Sequence, residues 1–535
     1  MVFLRIFTDS NLKPTLLPND PKTTMKALLL FFVLIMNSTY CQQTTAYQPP
    51  LFTDADRLSK IAATKTAIEK LYHQHATERH FPGMAFGVVA DGKLIYSGGF
   101  GYADLAKKIP ATPQSVFRIA SMTKSFTAMA ILKLRDEGKL RLDDPASLYI
   151  PALKKMALLT NDAPPITVRN LMAHATGLPE DNPWGDRQLA DTEAELTQLI
   201  EAGFSFANVP GVAYEYSNLA FAMLGRIITV VSGRPYQRYI SQEITEPLGM
   251  AHTYWEYANV PPNLLAHGYR RQNEQFLEET PLHDGSHGAM GGLLTTIDDF
   301  AKYAALHLSA WPPRNDTDTA PLKRSSLREM HQPATFSGLS PSFKFPNNKT
   351  TALTSSYAYG LSWSADGDGR TYVGHSGGLP GFGSQWRMMP QYGIAVVAFS
   401  NLTYGGLGAV NWAALDSIVA LAELKPRQLP ASKILNEHKE QLIKLLPDWK
   451  NASDAGIFAE NFFLDYSQAD LQQTFQKLYG KIGNIKYTTE LVPENQLRGS
   501  FRIVGEKGIL EIFFTLTPES KPLIQQLDVG EIPKQ

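Results

Sequence analysis

The spacing of apolar positions changes period along the chain, and each change marks an element. From Asp54 to about His75, Leu58, Ile61, Ile68, Leu71 and Tyr72 recur at helical spacing. GMAFGVVADGKLIYSGGFGYAD (83–104) is two β-branched and aromatic runs around Asp91-Gly92, which predicts a hairpin. Residues 121–137 predict a helix ending near Gly138, and from Phe126 to Leu134 it is apolar almost all round, as a buried central helix is. Residues 145–300 read mostly as helices and loops, and 310–350, rich in Pro, Ser, Asn and Thr, as a long surface loop or insertion. Strand patterns return at 357–363, 370–376, 384–390 and 394–401, the last two around a turn at Gln391-Tyr392-Gly393, and a helix follows over about 409–424. Strands at both ends with helices between them predict an α+β domain over 54–424. Its antiparallel sheet is completed by the C-terminal strands, and a helical subdomain is inserted.

The flanking segments read differently. Met25-Lys26 precedes ten apolar residues, ALLLFFVLIM (27–36), and then Asn37, Ser38 and Thr39. A positive charge, a short apolar run and small polar residues predict a secretory signal peptide over about 25–41, with residues 1–24 as a tail ahead of the true start. The run is too short to span a bilayer, which takes about 20 residues. The expected location is periplasmic or secreted, with no membrane span after cleavage. Lipidation at Cys41 is the rival reading, disfavoured by the bulky Tyr40 before it. Residues 42–53 read as a linker, 425–433 as a second linker, and 434–535 as a small α+β accessory domain. That domain has helices at 434–446 and 468–479 and strands at 485–492, 499–504, 509–516 and 523–529, with Phe462, Phe463, Phe475 and Tyr479 as its core.

Composition removes some function classes. The formal net charge is -1, so there is no basic excess to meet nucleic-acid phosphates. Cys41 is the only cysteine, which excludes an internal disulfide and a thiolate zinc site. His283 and His287, with Asp284 between them, lie in a glycine-rich stretch rather than on a patterned helix, which argues against a metal pair. His174 reads as a structural hydrogen-bonding histidine, and Asp298-Asp299 as the acidic first turn of a helix.

The candidate chemistry is Ser121-Met122-Thr123-Lys124 at the start of the central helix. The same spacing at Ser10-Asn11-Leu12-Lys13 shows how easily it arises by chance. One helical turn puts Lys124 on the face of Ser121. Burial disfavours the ammonium, and a neutral amine beside a serine hydroxyl is a base. The helix N-terminus favours a developing oxyanion.

Two downstream motifs join it. Tyr216-Ser217-Asn218 has a second copy in Tyr257-Ala258-Asn259, and His375-Ser376-Gly377 has one in His283-Asp284-Gly285. With the surrounding segments VPGVAYEYSNLAFAMLGRIITVVSG, GHSGGLPGFGSQWRMMPQYGIAVVAFSN, TVRNLMAHATGLPE and GAMGGLLTTIDDFAKY, the chain over 54–424 resembles the serine β-lactamase and penicillin-binding-protein superfamily. It resembles in particular the class C β-lactamase-related esterases, D-aminopeptidases and D-alanyl-D-alanine carboxypeptidases. The resemblance implies a β-lactamase/transpeptidase-like fold and no cofactor or metal. It implies Ser121 as the acylated nucleophile, Lys124 as its base or activator, Tyr216 as a second acid/base group, and Asn218 as a holder of Lys124 and the substrate amide. His375 and Gly377 border the substrate, and the backbone N–H groups of Ser121 and Gly378 form the oxyanion hole. Class C β-lactamases carry lysine in the third motif. His375 supplies less positive charge, which weakens the pull on a substrate carboxylate and favours an esterase or D-amino-acid peptidase. The expected activity is therefore hydrolysis of an ester or amide, D-amino-acid peptides included, on a small-molecule or peptide substrate. The alternatives are a β-lactamase or carboxypeptidase, and a non-catalytic relative that binds peptidoglycan or a partner protein.

Overall fold

The computed structural model describes residues 47–532. The leader reading, the Ser10 copy and Cys41 lie outside the described residues. The chain divides into two compact units, with a boundary between Leu429 and Pro430.

The larger unit is built on one nine-stranded antiparallel sheet. In chain order its strands are β1 (Gly83–Ala90), β2 (Lys93–Asp104), β3 (Ile109–Pro110), β4 (Thr335–Lys344), β5 (Thr350–Tyr357), β6 (Ser362–Asp366), β7 (Thr371–Leu379), β8 (Phe382–Met389) and β9 (Ile394–Ser400). In space the order is β3-β2-β1-β9-β8-β7-β6-β5-β4. The first strand therefore pairs with the last, Met84 opposite Ser400 and Ala90 opposite Ile394. Among the described residues the same unit holds five helices of 13 residues or more: α1 (Lys65–Glu78), α2 (Thr123–Asp136), α3 (Asn218–Ser232), α4 (Ile297–Ser309) and α5 (Gly408–Leu421).

Every residue of β1 and β9 is buried, which is why both read as unbroken apolar runs. Alternation still sorts their side chains. Ala85, Val89, Ala395, Val397 and Phe399 join the core shared with α2, α3 and α4. Met84, Phe86, Val88, Ile394, Val396 and Ala398 join the core under α1 and α5. The sheet is thus covered on both faces, and α2 lies a layer further in, with Phe126 stacked on Tyr303 of α4 at 3.8 Å between ring centroids.

The sequence expectation fails in two places. Residues 310–350 are not a plain loop: they hold a helix, Arg324–Met330, and the edge strand β4. An edge strand pairs on one side only, so it tolerates Gly338, Pro341 and two register shifts, the composition of a loop. The helical stretch 145–300 also contains a hairpin, Tyr269–Gln272 with Gln275–Glu278. Its turn places Asn273 and Glu274 at positive φ, the conformation usually signalled by Asn-Gly, and so gives no glycine cue.

In the smaller unit, helices Lys433–Leu445 and Gln468–Ile482 accompany a five-stranded antiparallel sheet. The predicted 485–492 strand is two, Ile485–Thr488 and Val492–Asn495, both pairing with Arg498–Gly505. Phe462 and Phe475 are fully buried, with Phe463 and Tyr479 packed against them. No helix of the described residues is long and apolar enough to cross a membrane.

Phe126 ties the central helix to α4 with no exposed surface. Phe126→Ala is expected to lower the unfolding free energy of the larger unit by about 3–5 kcal/mol in denaturant titration, the range for deleting a buried phenylalanine ring.

Candidate active site

The strand Phe117–Arg118 pairs with Leu294–Thr295, and the chain then turns through a short 3-10 segment, Ala120–Met122, into α2. Ala120, just before Ser121, sits at φ +49°, a left-handed conformation that costs energy for any residue with a Cβ. The first turns of α2 dock on one backbone segment. Thr127 Oγ1 donates to Ala289 O at 2.7 Å, and Leu293 N donates to Thr123 Oγ1 at 3.2 Å. Gly225 of α3 lets this segment approach, since a Cβ there would lie 2.6 Å from that of Ala289.

Lys124 has no solvent exposure. Its Nζ meets three atoms: Ser121 Oγ at 3.0 Å, Asn218 Oδ1 at 2.6 Å and Met290 O at 2.8 Å. Burial pulls its pKa down to about 7, against the opposing carboxylates of Asp186 and Asp181. The Tyr216 ring faces the same amine at 4.8 Å from its centroid. Tyr216 borders the same cavity as Ser121, and burial keeps its hydroxyl protonated by holding its pKa well above the ordinary phenol value, with Ser121 pulling the other way.

Tyr216 and Asn218 are fixed by the start of α3. Ser217 caps the helix, its hydroxyl accepting from Ala220 N at 3.2 Å. The carboxylate of Asp181 accepts from Asn218 N at 2.6 Å, Leu219 N at 3.0 Å and the Ser217 hydroxyl at 3.2 Å. His174 accepts from Ser217 N at 3.1 Å through Nδ1, and its ring lies 4.3 Å from both Tyr216 and Tyr357. It is the hydrogen-bonding histidine expected from its sequence context, held neutral first by burial and then by Lys124.

The third motif lies on β7. A Cβ on Gly377 would stand 2.3 Å from Ile119 O, so only glycine lets this strand reach the Ser121 turn. Ser384 Oγ of β8 fastens the same carbonyl at 2.6 Å. His375 departs from the expectation of a weakened positive charge. It is buried, and burial followed by the nearby Lys124 drives its pKa down to about 3, so it is neutral. Nδ1 is bonded to the Ser376 carbonyl, and Nε2 takes the hydroxyl of Tyr357 at 2.8 Å. Both ring nitrogens are therefore occupied within the protein.

These groups border a cavity of about 680 Å³, a volume suited to a small ligand. Ser121, Tyr216, His375, Gly377 and Gly378 line it; Lys124 and Asn218 stand just behind Ser121. The second copies lie elsewhere, on exposed surface: Tyr257 and His283 hydrogen-bond each other at 3.0 Å. Among the described residues no three His, Cys, Asp or Glu side chains come together as a metal site requires. Four residues that carry no motif also shape the site: Asp181, Asp186, Tyr357 and Tyr404. The only sequence cue for the first two is their place in the polar, glycine-bearing stretch GLPEDNPWGD.

Known proteins resemble this chain in sequence and fold. The profile of the family described as Beta-lactamase matches residues 68–420. Protein flp of Staphylococcus aureus (strain N315) is 30% identical over 341 residues, 63% of each chain. Unguisins hydrolase ungD' of Aspergillus campestris is 29% identical over 338 residues, covering 61% of this chain and 59% of that one. The chain thus spans less than two thirds of the length of these relatives. Among solved structures, the octameric penicillin-binding protein homologue from Pyrococcus abyssi superposes with a TM-score of 0.56 at 23% identity, over 88% of this chain and 98% of its own. The D-amino acid amidase from Ochrobactrum anthropi SV3 does so with 0.53 at 25% identity, over 68% and 99%. The fold is the β-lactamase/transpeptidase-like one, and the match across most of the larger unit makes this chain a member of the Beta-lactamase family.

Proposed function

We propose that this chain is an exported serine hydrolase that cleaves an ester or amide through an acyl-enzyme at Ser121. One observation carries the reading. Asn218 Oδ1 and the Met290 carbonyl are pure acceptors, so they take two N–H bonds of the Lys124 amine. In the neutral amine the remaining tetrahedral direction, the lone pair, then points at Ser121 Oγ. The base is oriented, and burial brings the loss of its proton down to about pH 7.

The steps follow from these positions. Lys124 takes the hydroxyl proton as Ser121 Oγ attacks the carbonyl carbon. The oxyanion forms against the N–H groups of Ser121 and Gly378. Tyr216, protonated at rest, gives its proton to the departing alkoxide or amine and regains one from the lysine ammonium. Water then enters, and the same groups return Ser121 to its resting state. A phenolate base would work against the burial of Tyr216, which is why the lysine is given that role.

The acyl preference follows from His375. With both ring nitrogens engaged and no charge, it offers nothing to the carboxylate of a β-lactam or of a D-alanyl-D-alanine terminus. Esters and uncharged amides are the favoured substrates, and the D-amino acid amidase among the structural relatives supports the amide branch. Export rests on residues 25–41 alone.

A fluorophosphonate probe is expected to label the wild type and not Ser121→Ala, which should lose about a thousandfold or more in ester turnover. In a panel of short acyl esters, D-alanine amides and a chromogenic cephalosporin, esters are expected to lead. A cephalosporin turned over as fast as the best ester contradicts the role given to His375.

The pH dependence has a definite sign. Lys124 works only after losing its proton, so kcat/KM for a neutral ester should rise with pH through about 7 and stay level above it, Tyr216 being still protonated. Removing the Asp186 charge takes away a group that raises the lysine pKa, so the limb of Asp186→Asn should move to lower pH. A wild-type profile already flat below pH 6 excludes Lys124 as the base.

A further inference from the structure

The cavity walls carry one charged side chain. Asp186 follows the short helix Asn182–Gly185 and is 2% exposed. Its Oδ2 accepts from the Tyr404 hydroxyl at 3.0 Å, and its Oδ1 is buried with no hydrogen-bond partner. Neither oxygen meets a cation: the three contacts of the Lys124 amine go to Ser121, Asn218 and Met290. The remaining lining residues are serine, asparagine, proline, tyrosine, glycine, leucine and the neutral His375.

A buried carboxylate with an unsatisfied oxygen is costly, and such a group normally neutralises itself or acquires a partner. Burial does raise the Asp186 pKa, to about 6, yet Lys124 and the Tyr404 hydroxyl both favour its ionised form. A cavity built this way repels an anionic substrate and lacks one thing, a positive charge.

We propose that Asp186 anchors a free ammonium group of the substrate, so that the preferred acyl donor is an aminoacyl ester or amide with its amine unblocked. This rests on the hydrolase reading above and narrows its substrate class. Tyr404 is the side chain that must yield. It is half exposed, at φ +51°, and its chain runs straight into Gly405-Gly406 on the cavity rim. A shift of its ring opens both carboxylate oxygens to an ammonium, which then replaces or joins the phenol hydroxyl.

The test compares alanine p-nitroanilide with its N-acetyl derivative, in both enantiomers. Any effect of Asp186 on Lys124 acts on both substrates alike, so the informative quantity is the ratio of their kcat/KM values. The wild type should prefer the free amine in at least one enantiomer, and Asp186→Asn should lower that ratio about tenfold or more, as losing a charged hydrogen bond does. Tyr404→Phe, which keeps the charge, should retain the preference. A ratio unchanged in Asp186→Asn, or lost equally in Tyr404→Phe, overturns the anchor while leaving the hydrolase reading intact. Binding separates the two readings further. Calorimetry on Ser121→Ala, which needs no chemistry, should show the free amine binding more tightly than the N-acetyl form, and the gap should close in the Ser121→Ala, Asp186→Asn double variant. Equal binding of the two forms, or binding of neither, also overturns it.

Discussion

The structure turns on one buried amine. Lys124 sits where an ammonium is expensive, and the surroundings lower that cost only partly, with two carbonyl-type acceptors and the field of Asp186 and Asp181. This partial compensation is what keeps the group near neutrality. A fully paired lysine would stay charged, and a fully isolated one would lose the contacts that orient it. The three contacts come from three parts of the chain: the Ser121 turn, the start of α3 and the segment around Met290. The site exists only while α2, α3 and that segment stay packed.

The rest of the larger unit serves that packing. The first and last strands of the sheet in chain order pair with each other inside it and present one face to the helical layer that holds α2. The second face is closed by α1 and α5, so the sheet cannot shift under the site without opening two cores. Gly377 brings the edge of β7 against the Ser121 turn, and Gly225 brings α3 against the Met290 segment. Three residues beside the cavity, Ala120, His174 and Tyr404, hold left-handed backbone angles that isolated chains avoid. The surrounding fold holds them there and so fixes the direction of Ser121 and of the aromatic wall.

The outlines of this arrangement were readable where the local pattern is strong. The Asp91-Gly92 hairpin, the apolar run after Phe126 and the late strands follow from periodicity and turn chemistry. Ser121 and Lys124 stood out because residue type and spacing on a helix start say which groups share a face, and Tyr216 stood out through its resemblance to a family motif. Edge elements did not stand out. β4 looks like a loop because an edge strand escapes the composition rules of a central one, and the Asn273-Glu274 hairpin lacks the usual glycine. Asp181 was equally hidden: an aspartate some 37 residues before a helix becomes its cap only through tertiary approach.

The sequence by itself determined an α+β domain, the order of its motifs and the identity of a serine with a lysine one helical turn on, since these depend on periods of two and 3.6 and on residue chemistry. The tertiary structure decided between duplicated motifs, because Tyr257 and His283 differ from Tyr216 and His375 only in where the fold sends them. It also decided the charge states. The pKa of Lys124, the neutrality of His375 and the unpaired oxygen of Asp186 arise from burial and from partners distant in the chain, and desolvation is a property of the packed interior that no local stretch of sequence contains.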